Sequence, residues 1–484
     1  MIIDKNNIVH FLTKALEFYN NEEYIKAEYT YSLILKNVNF LFPELYLGYA
    51  NTLISLKKYE LAIINFKKFL SHYKQSHEAY FGIAIAFEKL HKIDKAIKYY
   101  KKTINYKSNF LPAYNNLGNL YQKIFKYKKA KKIYFKALNF DDHQSKLLDN
   151  IGSLYQYTNQ YRKAASFHKL AMKDNPRNHM AYFNYSLALL MLGKIEKGFM
   201  HYEYRLKLFN SFANNQPIHK KWKGNEIKDK ILFIFTEQGF GDSIQFIRYI
   251  TYIKKISRAT ILFKCQNKLL SLFKNIKEID IFIQGNHLPN FDYYLPLLST
   301  VHILNNKLSY IPNQTPYLSY SKKENIVINN KHILKVGITW KGSHTNSNNE
   351  SRSISLLELD PLLNIQGCQF YSLQRDYVNE KELSEHNIID LKEELNNFND
   401  TANLIDDLDL IISIDTAVAH LALSLKKETW VLLSHVSDYR WSKKYSNAIW
   451  YPHAKIYKQN QHNNKWGFVI KKMRKDLLNK IELF

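Results

Sequence analysis

The chain has 484 residues, 46% of them hydrophobic, with 36 Tyr and 29 Phe. That is too long for one ordinary core and too apolar for a disordered chain, so two or three domains are expected. The formal net charge is +26, and residues 1–210 hold 33 basic against 16 acidic side chains. Such a basic half can attract nucleic acid, an anionic membrane or an acidic protein, but the excess is mostly Lys, without clustered Arg or a recognisable nucleic-acid module, so compositional drift is the preferred reading and no specific nucleic-acid partner is expected.

The first half repeats. Tyr59, Ile93, Tyr127, Tyr161 and Ile195 fall 34 residues apart, followed three residues later by Ala62, Ala96, Ala130, Ala164 and Gly198, and seven later by Phe66, Tyr100, Tyr134, His168 and Tyr202. Tyr24, Ala27 and Tyr31 form an earlier copy, and Pro176 stands at the break after the fifth. A 34-residue period is the signature of stacked helical hairpins, in which small residues such as Ala50, Ala84, Gly118 and Gly152 let helices approach and one aromatic fills the gap between hairpins. The pattern resembles the tetratricopeptide repeat (TPR) over about residues 8–205. That resemblance implies a groove for a protein or peptide partner; a purely scaffolding role is the alternative. The polar stretch 210–230 reads as a linker.

Beyond Lys230 the period changes to short apolar runs alternating with amphipathic stretches, the pattern of parallel strands with crossover helices. Strands are expected at 231–235, 260–264, 280–283 and 293–297, and at 334–340, 369–373, 388–391, 408–414 and 429–433. A segment with Pro312, Pro316 and the polar run from Ser321 to Asn325 divides the two groups. The fold class is therefore α + α/β: a helical solenoid at 1–210, then Rossmann-like lobes at 211–325 and 326–484, with ligands bound near the strand carboxyl ends.

Three strand ends carry candidate chemistry. The first leads into Thr236-Glu237-Gln238-Gly239-Phe240-Gly241-Asp242-Ser243, where glycines permit close backbone approach to a ligand. The third glycine of a dinucleotide fingerprint would fall at position 244, which is Ile, so a dehydrogenase reading loses support. Asp242 has capping-box spacing to Gln245 and can serve as a helix cap, or as a general base. At the second site, strand 334–340 runs into Lys341-Gly342-Ser343-His344, a loop over 345–351, and Arg352. Lys341 and Arg352 suit a phosphate, and a solvated loop is the alternative. The third is Ile414-Asp415-Thr416-Ala417-Val418-Ala419-His420, where a buried strand opens into a helix whose N–H groups can face a diphosphate. Asp415 as a cap and His420 as a packed helix residue are the alternatives. Asp438-Tyr439-Arg440-Trp441 can pack an aromatic cluster in the C-terminal region.

Taken in order, EQGFGDSIQFIRY, FDYYLPLLS, GITWKGS with a downstream RSI, YSLQ, DLIISIDTAVAHLA and DYRW resemble the heptosyltransferase-like glycosyltransferases (glycosyltransferase family 9) over about residues 222–460. The resemblance implies a GT-B fold and an inverting, metal-independent enzyme without a cofactor. It would transfer a sugar from a nucleotide-sugar donor to a glycan or protein acceptor. It implies Asp242 as catalytic base, and Gln238, Gly239 and Gly241 in a loop near the acceptor. Asp415, Thr416, Ala417 and His420 would lie on the donor, and Lys341 or Arg352 on its diphosphate. It also implies that Asp438-Tyr439-Arg440-Trp441 lines the cleft, the aromatic cluster being the alternative, and that the basic tail 469–483 crosses back onto the first lobe. A TPR interaction scaffold with a degenerate transferase domain is the competing reading.

Cys265 and Cys368 lack any disulfide or metal-ligand spacing, which fits a reducing compartment. The first residues carry no secretory pattern, and the apolar stretch 180–192 is short and interrupted by Asn184 and Ser186. A soluble cytoplasmic protein with no transmembrane segment is expected.

Overall fold

The structure, a computed structural model, describes residues 8–38, 42–140, 144–209, 216–285, 287–304, 311–323, 333–343, 349–376, 379–442, 448–460 and 466–484. Residues 210–215 of the expected linker, Glu324 and Asn325 of the dividing segment, and residues 344–348 of the expected loop, His344 included, lie outside them. The chain forms two compact units, residues 1–154 with 173–175, and residues 155–172 with 176–484.

The first unit is a series of antiparallel helix pairs: Ile8–Asn20 with Tyr24–Asn37, Glu44–Ser55 with Tyr59–His72, His77–Lys89 with Ile93–Tyr106, and Leu111–Lys123 with Tyr127–Leu138. The repeated aromatics Phe66, Tyr100 and Tyr134 are fully buried. A Cβ added at Gly82 would strike the Phe66 ring, and one at Gly118 the Tyr134 ring, so the absent side chain is what admits the aromatic. Gly82 lies two residues before Ala84, the small position that the sequence pattern singles out.

The turn between paired repeat helices recurs as faithfully as the side chains, four times in this unit and twice, at Asn159 and Gly193, in the second. Glu22, Lys57, His91, Phe125, Asn159 and Gly193 all have positive φ, between 56° and 67°. At each, two backbone bonds close the helix end, as when Lys57 N donates to Ile54 O at 3.0 Å and Lys58 N to Leu53 O at 2.8 Å. This is the Schellman arrangement, which satisfies the last carbonyls of one helix and launches the next.

The second unit holds two parallel sheets. Strands β1 (Ile231–Phe235), β2 (Thr260–Lys264), β3 (Ile281–Phe282) and β4 (Tyr293–Pro296) lie in the order β3-β2-β1-β4. Strands β5 (Leu334–Thr339), β6 (Cys368–Ser372), β7 (Ile388–Asp390), β8 (Leu410–Ile414), β9 (Thr429–Leu433) and β10 (Lys455–Lys458) lie in the order β10-β9-β8-β5-β6-β7. In each sheet the first strand sits inside and the chain winds outward both ways, so the order reverses between β1 and β4 and again between β5 and β8. Such reversals open crevices beyond the strand carboxyl ends. All nine expected strands are present, and the sequence missed β10, a short edge strand with lysines at both ends.

Side-chain alternation sorts the faces. Leu232 and Ile234 of β1 join Ile261, Phe263, Ile411, Val431 and Leu433 in one core shared by both sheets, whereas Phe233 and Phe235 pack on the opposite face with Leu262 and Tyr294. The far face of the second sheet is covered by helices Leu356–Leu363 and Gly467–Glu482. The C-terminal helix therefore stays on the second sheet and does not cross to the first lobe. Val469, Ile470, Met473 and Leu477 are buried there, and Arg474 Nε donates to Pro361 O at 3.0 Å. One segment that does reach the first lobe is that around Trp450, whose ring lies 5.5 Å from Phe246 and whose carbonyl accepts from Arg248 at 2.8 Å.

The repeat pattern ends near residue 210, but the packing boundary falls earlier. Phe199 and Tyr202 are buried in the shared core of the second unit, and Arg205 is 1% exposed.

Candidate functional site

The loop after β1 is held by side chains. Gln238 has φ 65°, its carbonyl accepts from Gln266 Nε2 at 3.1 Å, and its own Oε1 accepts from the Tyr202 hydroxyl at 3.1 Å. Gly239 begins helix Phe240–Phe246, and Asp242 Oδ2 accepts from Gly239 N at 3.0 Å. Asp242 therefore occupies the third helical position and reaches back to the cap residue; it is not itself the cap. Gln245 takes no part in a capping box. It is fully buried, and its Oε1 accepts from Arg440 Nε at 2.7 Å. Gly239 is exposed, while Gly241 is half-buried. A Cβ on Gly241 would stand 2.9 Å from His420 Cδ2 and 3.6 Å from Ala417 Cα, so this helix approaches the helix after β8 only because position 241 is glycine.

That second helix is Ala417–Ser424. Its N-cap is Thr416, whose side chain makes no cap bond. Instead Thr416 Oγ1 lies 3.0 Å from Ser413 Oγ, which is 2.5 Å from Thr339 Oγ1, tying the ends of β8 and β5 together. The helix start thus has no side-chain cap, and residues 415–418 are only half-buried. Asp415 is not a cap either: its Oδ1 faces His420 Nε2 at 3.6 Å. Burial works to raise the Asp415 carboxyl, but His420 and the charge of Arg440 outweigh it and hold its pKa below the ordinary value. His420 is 4% exposed, lies 3.1 Å from the Tyr451 hydroxyl through Nδ1, and stacks on Trp441 with ring centroids 5.5 Å apart. It is a packed residue with one edge turned to Asp415.

At the end of β5, Arg352 lies over Gly342, and its Nη1 donates to Asp415 O at 3.0 Å. Its Nε is buried without a hydrogen-bond partner among the described residues. Lys341 is half-buried, and its backbone N donates to Gln374 Oε1 at 3.1 Å. The structure thus groups Arg352 with Asp415, Thr416 and Ala417, and puts Lys341 at the same strand end.

Sequence reasoning left Arg440 without a role, and here it is central. It sits in the short helical turn Tyr439–Trp441 after β9. Nε reaches Gln245, Nη1 reaches Asp438 Oδ1 at 2.7 Å, and Nη2 pairs with Asp242 Oδ1. One guanidinium therefore fixes the loop of the first sheet to the second. Burial raises the Asp438 carboxyl, with Arg440 opposing. The DYRW motif also packs aromatically, with Tyr439 5.9 Å from Phe199 and 6.1 Å from Tyr202. The motif offered a signal, since an Arg between two large aromatics is rarely a solvated charge.

A second buried ionic group closes the crevice between β1 and β4. Arg205, from the end of the last repeat, donates to Glu237 Oε1 at 2.5 Å, Glu203 Oε1 at 2.7 Å and Ser299 Oγ at 2.9 Å. Lys221 pairs with the other oxygen of Glu203. Burial works to raise Glu203, yet Arg205 and Lys221 prevail and its pKa falls to about 2.

Among known proteins, residues 43–72, 77–110 and 111–143 match the tetratricopeptide repeat family. The N-terminal region is a tetratricopeptide-repeat array. Protein FlbA of Caulobacter vibrioides is 25% identical over 320 residues, 58% of this chain and 52% of that protein, so the chain spans about half the length of the curated relative it matches. Similar solved structures include a thermophilic TPR protein of Thermus thermophilus, 19% identical, covering 37% of this chain and 98% of that one at a TM-score of 0.32. A tetratricopeptide repeat protein from Parabacteroides merdae is 18% identical, covering 43% of this chain and 82% of that one, with a TM-score of 0.38. The pilF protein of Pseudomonas aeruginosa is 16% identical, covering 36% of this chain and 78% of that one, with a TM-score of 0.33. The TPR array supports a protein-interaction role, and among the described residues no helix is long and apolar enough to cross a membrane.

Proposed function

We propose that the chain is an inverting, metal-independent glycosyltransferase of GT-B architecture, similar to the heptosyltransferase-like enzymes. It takes a sugar from a nucleotide diphosphate donor and passes it to a glycan or protein acceptor, with the TPR array recruiting the acceptor or a partner. On this reading residues 211–325 are the acceptor lobe and residues 326–484 the donor lobe, and the enzyme works in the cytoplasm. The free thiols of Cys265 and Cys368 agree with a reducing compartment.

The observation that carries the reading is one juxtaposition. Gly241 packs on His420 and Ala417 while Arg440 pairs with Asp242, so a carboxylate from the β1 loop stands beside the uncapped helix start at the β5/β8 crevice. The donor diphosphate would sit against the N–H groups at Thr416 and Ala417, with Arg352 and Lys341 supplying positive charge. The acceptor hydroxyl would attack the anomeric carbon from the Asp242 side. As the new C–O bond forms, the bond to the diphosphate breaks, its electron pair leaves on the phosphate oxygen, and the hydroxyl proton passes to Asp242. A carboxylate has about four lone-pair positions; Arg440 and Gly239 N use two, leaving acceptor capacity on each oxygen.

The same engagement of Asp242 favours a second reading, in which the pair only clamps the lobes and the chain is a TPR scaffold with a degenerate transferase domain. Thermal unfolding of the full chain with a panel of nucleoside diphosphates and nucleotide sugars tests the proposal. A ligand at 100 times its Kd adds roughly 2.7 kcal/mol to the folded state, so one nucleotide class is expected to raise the midpoint, and Arg352→Ala to abolish the rise. A flat response across the panel would contradict donor binding.

A further inference from the structure

A cavity of about 490 Å³ opens between the turn at Asn159, the end of the next repeat helix at Met191, and the carboxyl ends of β9 and β10. Nothing in the proposed transfer step uses it. Its volume lies in the range of small-molecule sites and suits one or two sugar rings. The lining is one-sided in charge: Arg162 and Lys458 contribute cations, and no Asp or Glu lines it among the described residues. Arg162 is exposed, and its side chain has no ion pair or hydrogen bond among the described residues, whereas Lys458 Nζ is steadied by Ser437 Oγ at 2.7 Å.

The wall is built from ordered polar groups. Gln459 is 3% exposed, and its Oε1 accepts from His435 N at 3.2 Å, yet its Nε2 is buried with no hydrogen-bond partner among the described residues. A buried donor left unpaired is costly, so this amide is a specific place for a ligand acceptor atom. Asn159 Nδ2 lies 2.7 Å from His435 Nε2, and the Tyr161 hydroxyl donates to Asn159 Oδ1 at 2.6 Å, fixing the Tyr161 ring beside the cavity. Cations, an unpaired amide donor and an aromatic face are the groups that receive an anion, a hydroxyl and a sugar ring.

We propose that this cavity binds an acidic saccharide, a sugar ring bearing a carboxylate or a phosphate. The cavity also communicates with Asp242 through a short series of contacts: Lys458 to Ser437, then the adjacent Asp438 to Arg440, and Arg440 to Asp242. On the transferase reading, on which this last step rests, the cavity holds an acidic residue of the glycan acceptor.

Isothermal titration of the full chain with glucuronate, glucose 6-phosphate, glucose and inorganic phosphate tests the binding directly. At least one acidic sugar is expected to bind about tenfold or more tightly than glucose and than phosphate. Arg162→Glu, an exposed change, is expected to weaken it about tenfold or more, with the unfolding midpoint unchanged. Whichever acidic sugar binds identifies the acid. No binding, equal binding of glucose or of phosphate, or indifference to Arg162→Glu would overturn the inference. The nucleotide-induced thermal shift of the unsubstituted protein separates the two claims. A retained shift without acidic-sugar binding leaves the donor reading standing and removes this one, and the converse pattern does the reverse.

Discussion

Replacing Asp242 by Asn is expected to lower sugar transfer from the nucleotide diphosphate donor by about 10²–10⁴-fold, the span typical of a lost general base. Donor affinity should be nearly unchanged, because the donor would rest on Arg352, Thr416 and Ala417, not on Asp242. Asparagine keeps the shape of the side chain and one acceptor oxygen, so either Gly239 N or Arg440 loses its partner and the folded state weakens by about 1–3 kcal/mol. Comparing kcat with donor Kd at a temperature well below unfolding separates the two effects. Unchanged kcat would remove Asp242 as base and leave the lobe-clamping role of its pair with Arg440.

The larger stability effect is expected at Arg205. Arg205→Met leaves Glu237 without its cation and Glu203 with Lys221 alone, in a region where Arg205 is 1% exposed. Removing one partner of a buried ionic group costs about 3–5 kcal/mol. The readout is convenient: all six tryptophans, from Trp222 to Trp466, lie in the second unit, so their fluorescence in a denaturant titration follows that unit. The pH dependence gives an independent check. Because the pKa of Glu203 is held at about 2 against an ordinary 4.5, its ion pairs contribute stability that is complete above pH 4.5 and lost as pH falls toward 2. Wild-type protein should therefore lose stability across that window, and Glu203→Gln should lose less across it, having already lost that contribution at pH 7. Equal slopes for the two proteins would mean that the ionic group at the β1/β4 crevice does not hold the fold.

The sequence disclosed what repeats and what is apolar. The 34-residue register of Phe66, Tyr100 and Tyr134 was countable, because burying one aromatic per hairpin is what makes the hairpins stack. The strands of both sheets were legible as apolar runs. The Schellman turns were not, since their left-handed position is filled by Glu22, Lys57, His91, Phe125, Asn159 and Gly193, residues with nothing in common but a backbone angle. β10 escaped because its edge position needs only Tyr457 buried.

Other features depended on contacts between distant segments. The motifs around Asp242 and Asp415 stood out singly, but that Gly241 serves the packing of His420 is visible only once both helices are placed. Arg440 was quoted within its motif, yet its three partners come from Asp242, Gln245 and Asp438, two of them nearly 200 residues away in the chain. The basic C-terminal helix looked free to cross lobes, and the row Val469, Ile470, Met473 and Leu477 decides otherwise by matching the apolar face of the second sheet.

The central claim is that a nucleotide diphosphate binds where the β5 and β8 ends meet. Hydrogen–deuterium exchange of the full chain, with and without the nucleotide that shifts its unfolding, tests this at the level of segments. Protection is predicted at residues 339–342 and 415–420, where the ligand would take up backbone N–H groups, with little change in the helix pairs of residues 8–138. Protection confined to the repeats, or a stabilising nucleotide that leaves residues 415–420 exchanging as before, would contradict the account.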